Sequence, residues 1–229
     1  MNFPLLSSLI ILPTIGAIFI LFGRSSTNYN SAKYISLFIT FTNFVLSLYL
    51  WYTFDKTNSD FQFVEERIWL EGFINYKVGI DGISILFIIL TTFITFLCVI
   101  SVNSTVQNRL KDFLLAILFM ETMMIGVFCS LDLVIFYLFF EAGLIPMFLI
   151  IGIWGGQRRV YSAFKFFLYT LLGSVLMLVA IISIYWMTGT TDVIELYQIG
   201  IDPRYQNLLW LAFFSSFAVK TPMWPVHTW

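Results

Sequence analysis

The sequence is poor in charge and in residues that bind metals or redox cofactors. Only 11% of its 229 residues are Asp, Glu, Lys or Arg, whereas a soluble domain has about a quarter. It has one histidine and two cysteines, and Cys98 and Cys129 lie in separate apolar segments without CxxC spacing. No GxGxxG, P-loop or nucleophile-elbow motif is present. The sequence therefore predicts no metal and no redox cofactor in this chain, and its net charge of −1 gives no reason to expect nucleic acid.

Apolar segments of about twenty residues are abundant instead, and each is long enough to cross roughly 30 Å of hydrocarbon. Hydrophobic residues make up 59% of the chain. We therefore predict an all-α integral membrane protein, a polytopic bundle of about seven transmembrane helices whose seventh helix is broken by prolines. The predicted spans are 4–22, 34–54, 83–102, 113–130, 131–153, 160–187 and an interrupted span from about 208.

Two regions are predicted along the chain. Residues 1–112 contain the first three helices and a polar outer loop at 55–81, and residues 113–229 contain helices four to seven. Loop charges predict the orientation, because the odd-numbered loops hold six basic residues, whereas the even-numbered loops hold four among nine carboxylates. The positive-inside rule then places the N-terminus outside. The odd-numbered loops hold Arg24, Lys33, Arg109, Lys111, Arg158 and Arg159.

Glu121, Glu141 and Lys220 are charged residues well inside predicted spans. Insertion of such a residue at the centre of a helix costs about 2.5–3.5 kcal/mol, so each is a functional candidate. At 1.5 Å per residue, Glu141 and Lys220 lie roughly 15 Å and 18 Å below the outer face. These opposite charges are therefore predicted at similar depth, either as an ion pair that only fixes packing or as part of a functional site.

Prolines follow both members of this pair. Pro146 removes the N–H that would bond the Ala142 carbonyl and predicts a kink after Glu141. Pro222 and Pro225 interrupt the seventh helix directly after Lys220, and discontinuous helices at this depth are typical of transporter sites. The proton affinity of a desolvated lysine depends on the charge of a nearby carboxylate. The pattern therefore predicts a switchable proton relay.

Four other candidates have alternatives that the sequence leaves open. Lys165 either extends its side chain to the inner face or acts as a relay partner. Glu121 is either a supporting relay residue or a hydrogen-bonded residue of the bundle. His227 has either a packing role or a role in proton transfer, and Asp132 is either a cap at the outer end of the fifth span or a functional residue.

Three segments around these residues resemble a known family. METMMIGVF (120–128), LDLVIFYLFFEAGLIPM (131–147) and KTPMWPVHTW (220–229) are similar to the antiporter-like subunits of respiratory NADH–quinone oxidoreductase. The resemblance implies about fourteen helices in two inverted five-helix repeats, each with a broken helix. It also implies a proton channel that uses Glu141 and Lys220, with Lys165 and Glu121 in supporting roles. The chain covers about half of this pattern, so the second repeat is expected to be missing.

The resemblance implies a membrane-arm subunit of complex I, an H⁺-translocating NADH:ubiquinone reductase whose FMN, iron–sulfur clusters and ubiquinone lie in other parts of the complex. Two alternatives stay open: a subunit of a cation/proton antiporter or membrane hydrogenase, and a structural half-subunit that does not pump. Expected partners are other membrane-arm subunits, a second chain carrying the C-terminal half of the subunit, and lipids. The 26 phenylalanines, with abundant Ile and Asn, suggest an AT-rich genome. They favour the mitochondrial inner membrane, with a bacterial plasma membrane as the alternative.

Overall fold

The computed structural model describes residues 4–22, 29–70, 74–106 and 108–229. In that part of the chain six helical segments are long and apolar enough to cross a membrane, and the fifth comprises two successive helices. The chain is therefore a multi-pass, mainly helical membrane protein, as the sequence predicted. Its elements are α1 (Leu5–Phe22), α2 (Tyr29–Thr53), β1 (Gln62–Leu70), β2 (Ile74–Ile80), α3 (Ser84–Thr105), α4 (Leu110–Cys129), α5 (Leu133–Ala142), α6 (Leu144–Trp154), α7 (Arg159–Thr188), α8 (Val193–Ile199) and α9 (Pro203–Lys220).

The seventh predicted span differs from the prediction. Its helix, α9, begins before residue 208, because the carboxylate of Asp202 caps it by accepting the Arg204 backbone N–H at 3.0 Å. The early start adds a polar first turn, and α9 is not among the six helices that meet the length and composition of a membrane span. The polar residues of this first part are Arg204, Gln206 and Asn207.

The loop at 55–81, which is predicted to lie outside, contains a two-stranded sheet of β1 and β2 that the all-α prediction missed. Strands of nine and seven residues are too short, and here too polar, to be distinguished from a loop by hydropathy. The Glu65 carboxylate of β1 accepts the backbone N–H groups of Leu6 and Ser7 at 2.8 and 3.1 Å, and also the Ser7 hydroxyl. Glu65 thereby satisfies the free N–H groups at the start of α1.

The chain forms two compact units. Unit 1 comprises Met1–Glu66 and Val78–Ser130, and unit 2 comprises Arg67–Lys77 and Leu131–Trp229. In unit 1, α1 packs against α2 and α4, and α3 packs against α2 and α4. In unit 2, α7 packs against α9, α6 and α5. This division does not follow the predicted boundary at residue 112, because α4 packs with the first three helices.

The interior of unit 1 is partly polar. Four residues on one face of α2, spaced three or four positions apart, have no exposed surface. Some of their hydroxyl groups bond backbone carbonyls of the same helix, whereas the Ser47 hydroxyl also contacts the hydroxyl of Thr92 on α3 at 2.8 Å. The four residues, here called the α2 polar stripe, are Ser36, Thr40, Asn43 and Ser47.

The basic residues used for orientation lie partly in helices. Arg24 is outside the described residues. Lys33 is in α2, because that helix begins at Tyr29, and Lys111 is in α4. Both predicted starts were a few residues late because the first turns of these helices are polar.

Candidate functional site

Unit 2 brings Lys220 next to the turn of α5 that carries Glu141. Lys220 is the last residue of α9, and its Nζ donates a hydrogen bond to the Phe140 carbonyl at 3.3 Å. The same Nζ lies 4.3 Å from the centroid of the Phe140 ring, in the geometry of a cation–π contact. The ammonium therefore lies one residue away from Glu141 along α5, close enough for the two charges to interact.

The Glu141 side chain is partly buried and incompletely bonded. Its Oε1 is buried and has no hydrogen-bond partner in the described part of the chain. Ser174 of α7 lies next to the Glu141 carboxyl and next to the phenol of Tyr137. Sequence reasoning missed both neighbours, although Tyr137 precedes Glu141 by four residues and so lies on the same face of the helix.

Aromatic rings line the site beside Lys220. The Phe140 ring centroid is 5.6 Å from that of Phe136 and 6.1 Å from that of Phe217. Charges interact more strongly beside such apolar surfaces than in water. The aromatic rings therefore strengthen any interaction between the charges of Lys220 and Glu141.

The polypeptide after Lys220 is not helical, and it bonds the carbonyls at the end of α9. Pro222 cannot donate to the Ala218 carbonyl, and the Met223 N–H bonds that carbonyl instead, at 2.9 Å. The indole N–H of Trp229 donates to the Val219 carbonyl at 2.8 Å. The carbonyls of Ala218 and Val219, at the end of α9, are thus bonded by the segment that follows it.

A second interruption lies close to Glu141. α5 ends at Ala142 and α6 begins at Leu144, with Gly143 between them. Pro146 is buried in the first turn of α6, where it lacks the N–H that would bond the Ala142 carbonyl. Glu141 therefore lies at the end of a ten-residue helix rather than within a continuous one.

Lys165 of α7 contacts the segment that follows α9, and His227 belongs to that segment. The Lys165 ammonium donates to the Thr228 carbonyl, so the structure brings it to this segment rather than to Glu141. The His227 side chain is exposed. For both residues the alternatives of the sequence analysis stay predictions.

Glu121 belongs to unit 1 and is nearly inaccessible, with 1% of its surface exposed. Its Oε1 accepts a hydrogen bond from Asn43 Nδ2 of the α2 polar stripe at 2.9 Å. The sequence analysis did not predict this partner.

Asp132 caps α5. Its Oδ1 accepts the N–H groups of Val134 and Ile135 at 2.8 and 3.1 Å, and its Oδ2 accepts the Thr191 hydroxyl at 2.6 Å. Burial raises the pKa of Asp132, although these hydrogen bonds oppose the rise. Asp132 is therefore the N-terminal cap of α5.

Residues that could hold a metal are not clustered. Within the described ranges, no three His, Cys, Asp or Glu side chains lie together. Cys98 and Cys129 are both free thiols, the first exposed and the second buried.

Comparisons with known proteins agree on one family. The profile of the family described as "NADH:quinone oxidoreductase/Mrp antiporter, TM" matches residues 130–229. The chain is 55% identical over 212 residues to NADH-quinone oxidoreductase subunit M of Rhodobacter capsulatus. The alignment covers 87% of this chain and 41% of that protein. It is 49% identical over 226 residues to NADH-ubiquinone oxidoreductase chain 4 of Arabidopsis thaliana. This second alignment covers 98% of this chain and 46% of that protein. The chain thus spans about half the length of the curated relatives it matches.

Solved structures share the fold. Respiratory complex I from Thermus thermophilus with bound NADH contains a chain that matches with a TM-score of 0.85 and 29% identity, over 98% of this chain and 45% of that one. A chain of the membrane-bound sulfane sulfur reductase, an archaeal respiratory membrane complex, matches with a TM-score of 0.77 over 96% of this chain and 34% of that one. At 21% identity, this second match shows a common fold alone.

Proposed function

Because the chain belongs to the antiporter-like membrane subunits of NADH–quinone oxidoreductases, named subunit M or chain 4, we propose that it is a membrane-arm subunit of respiratory complex I and takes part in proton translocation. The relatives named above support this over a cation/proton antiporter or membrane hydrogenase, since their names are those of NADH–quinone and NADH–ubiquinone oxidoreductases. The enzyme activity is a property of the whole complex.

The observation that carries the proposal is the position of Lys220. Its ammonium bonds the carbonyl beside Glu141, while a buried oxygen of Glu141 has no partner in the described part of the chain. A hydrogen bond of 3.3 Å and a ring contact hold the ammonium only weakly. Ionised Glu141 attracts the ammonium to its free oxygen, and protonated Glu141 releases it to the Phe140 carbonyl. The pair can therefore couple the binding of a proton at Glu141 to the movement of a charge.

Electron transfer takes place elsewhere in this proposal. The chain has no set of ligands for a haem or an iron–sulfur cluster, and its free thiols are far apart in sequence. We infer that this chain binds neither flavin, metal nor quinone, and that the other subunits of the complex hold the redox groups. Lipid acyl chains fill the apolar groove along α7 and α9, which is lined by residues including Trp186, Leu208 and Leu209.

The location is the mitochondrial inner membrane or, alternatively, a bacterial plasma membrane, with the N-terminus on the outer side. Relatives of both origins match the chain. A cysteine introduced at Asp60 should then react with a membrane-impermeant maleimide from outside, and one introduced at Arg158 only from inside. The opposite labelling pattern would reverse the orientation.

A second polypeptide carrying the C-terminal half of the same subunit is the proposed partner that completes the proton path, alongside the other membrane-arm subunits. Mass spectrometry of the purified complex should identify a second hydrophobic chain that continues the family pattern. A single polypeptide of full family length would refute the two-chain arrangement.

The substitution Glu141→Gln tests the relay, because it removes the charge while keeping side-chain size. We expect assembled complex in vesicles to lose proton pumping by about a hundredfold or more, since a positioned acid–base group contributes about 10²–10⁴-fold. Glu195→Gln removes an exposed carboxylate in α8 and is the matched control. Both variants are measured for proton uptake and for quinone reduction with an uncoupler present.

A role that is only structural predicts a different result. An assembled Glu141→Gln complex that pumps like the Glu195→Gln complex would leave this chain as a non-pumping half-subunit. The same conclusion would follow if the Glu141→Gln variant assembled less complex but each assembled complex pumped normally.

A further inference from the structure

Two buried hydrogen-bond acceptors in unit 1 have no donor among the described residues. Glu121 and Asn43 share one hydrogen bond, from Asn43 Nδ2 to Glu121 Oε1 at 2.9 Å. The other oxygen of each group, Glu121 Oε2 and Asn43 Oδ1, is buried and has no partner among the described residues. Both side chains are at least 99% buried, since Glu121 has 1% of its surface exposed and Asn43 none. Two orphaned acceptors on one bonded pair are costly unless a donor lies between them.

Among the described residues of unit 1, no basic side chain lies beside Glu121. Among the helices that pack against α4, α1 has no ionisable side chain, and the basic residue of α2 is Lys33. Lys33 lies ten residues from Asn43, and Lys111 of α4 lies ten residues from Glu121, about 15 Å along the helix in each case. The remaining ionisable groups of α2, α3 and α4 are phenols, thiols and one carboxylate: Tyr29, Tyr34, Tyr49, Tyr52, Cys98, Cys129 and Asp112.

An ionised carboxylate without a partner charge is strongly disfavoured in such a place. Glu121 is near the middle of the twenty-residue helix α4, so in a membrane it lies within the hydrocarbon layer. Its one hydrogen bond, from a neutral amide, is too little to stabilise a full negative charge away from water.

We propose that Asn43 and Glu121 form a buried proton-binding site that holds one proton on the Glu121 carboxyl. The proton on Oε2 is donated to Asn43 Oδ1, while Asn43 Nδ2 donates to Oε1. The acid and the amide then share two hydrogen bonds in a ring, and one proton satisfies both orphaned oxygens. This site is independent of the Glu141 and Lys220 relay.

Exchange of the two functional groups tests the pairing. Glu121→Gln keeps two complementary hydrogen bonds without a charge, so the half-life of the assembled complex at a denaturing temperature should stay within about twofold of the parent. Asn43→Leu leaves the carboxyl without a partner, and that half-life should fall about ten- to a hundredfold. The double variant Asn43→Asp/Glu121→Gln restores one acid and one amide, and it should be longer-lived than Asn43→Asp alone.

Infrared spectroscopy detects the proton itself. In complex labelled with ¹³C-glutamate, Glu121→Gln should remove one C=O band of a protonated carboxyl, and Asn43→Leu should shift this band to higher frequency. A Glu121→Gln complex as unstable as Asn43→Leu would show that the charge is required and overturn the proposal. Absence of the band from the parent would also overturn it, because a carboxylate bridged by water would then occupy the site.

Discussion

Substitution of Gly173 by alanine probes the closest approach of α7 and α9. A methyl group at Gly173 would lie 3.1 Å from both Cβ and Cγ2 of Val219, the residue before Lys220. Carbon atoms in good contact are about 3.5–4.0 Å apart. The two helices must therefore separate by about half an ångström, and overpacking of this kind costs about 1–3 kcal/mol.

Gly152→Ala is the matched control. This glycine also lies inside a helix, but its added methyl group would be 3.5 Å from the Ala163 Cβ, an ordinary contact. Both substitutions gain about 1 kcal/mol of helix propensity. The free energy of unfolding should thus be about 1–3 kcal/mol lower for Gly173→Ala than for Gly152→Ala.

Denaturation of the chain in mixed micelles by increasing SDS measures this difference, with helix content followed by circular dichroism. Proton uptake by the reconstituted complex should fall in the same order, because displacement of Val219 also displaces Lys220. Equal stabilities of the Gly173→Ala and Gly152→Ala variants would show that α7 and α9 are not in close contact at this position.

Two further predictions concern the loop at 55–81. Glu65→Ala removes the acceptor of three hydrogen bonds at the start of α1 and should lower the free energy of unfolding by about 1–3 kcal/mol in the same titration. Asp60→Ala, at an exposed position, should have little effect, and equal effects would contradict the capping role of Glu65. Burial tends to raise the pKa of Asp81, but hydrogen bonds from Ser84 and Ile83 outweigh it and lower this pKa from its ordinary value of 3.8. Asp81 therefore contributes stability above pH 3.8 that is lost as the pH falls through its folded-state pKa, and Asp81→Asn should flatten the acid limb of a stability–pH curve. An unchanged acid limb would show that Asp81 contributes nothing.

The sequence predicted the membrane helices well because the requirement for long apolar runs is strict. The β1–β2 sheet and the early start of α9 were missed, since both depend on short polar segments whose hydrogen bonds are specific. Asp202 illustrates the difficulty, because its capping role depends on the position of the Arg204 N–H, which the sequence alone does not give.

For the candidate site, the sequence identified charged residues as candidates but did not predict the groups that they contact. Glu141 and Lys220 stand out because membrane segments exclude charge. The Phe140 carbonyl cannot be identified as the acceptor of Lys220 from sequence, since every residue has a carbonyl. Asn43 could have been noticed, because the α2 polar stripe repeats with the period of a helix. Its pairing with Glu121 on another helix needed the structure.

The α2 polar stripe also constrains the order in which the chain enters the membrane during synthesis. α2 is the least apolar of the six candidate spans, and its four stripe residues are shielded only in the folded unit. Thr92 of α3, which contacts Ser47, is synthesised after α2, and Glu121 of α4, which contacts Asn43, is synthesised later still. A nascent α2 alone therefore exposes the Asn43 amide to lipid, whereas the hydroxyl groups can bond carbonyls of their own helix. We therefore expect α2 to stay beside the insertion channel until α3 and α4 have been made, so that the first four helices enter the bilayer as a group.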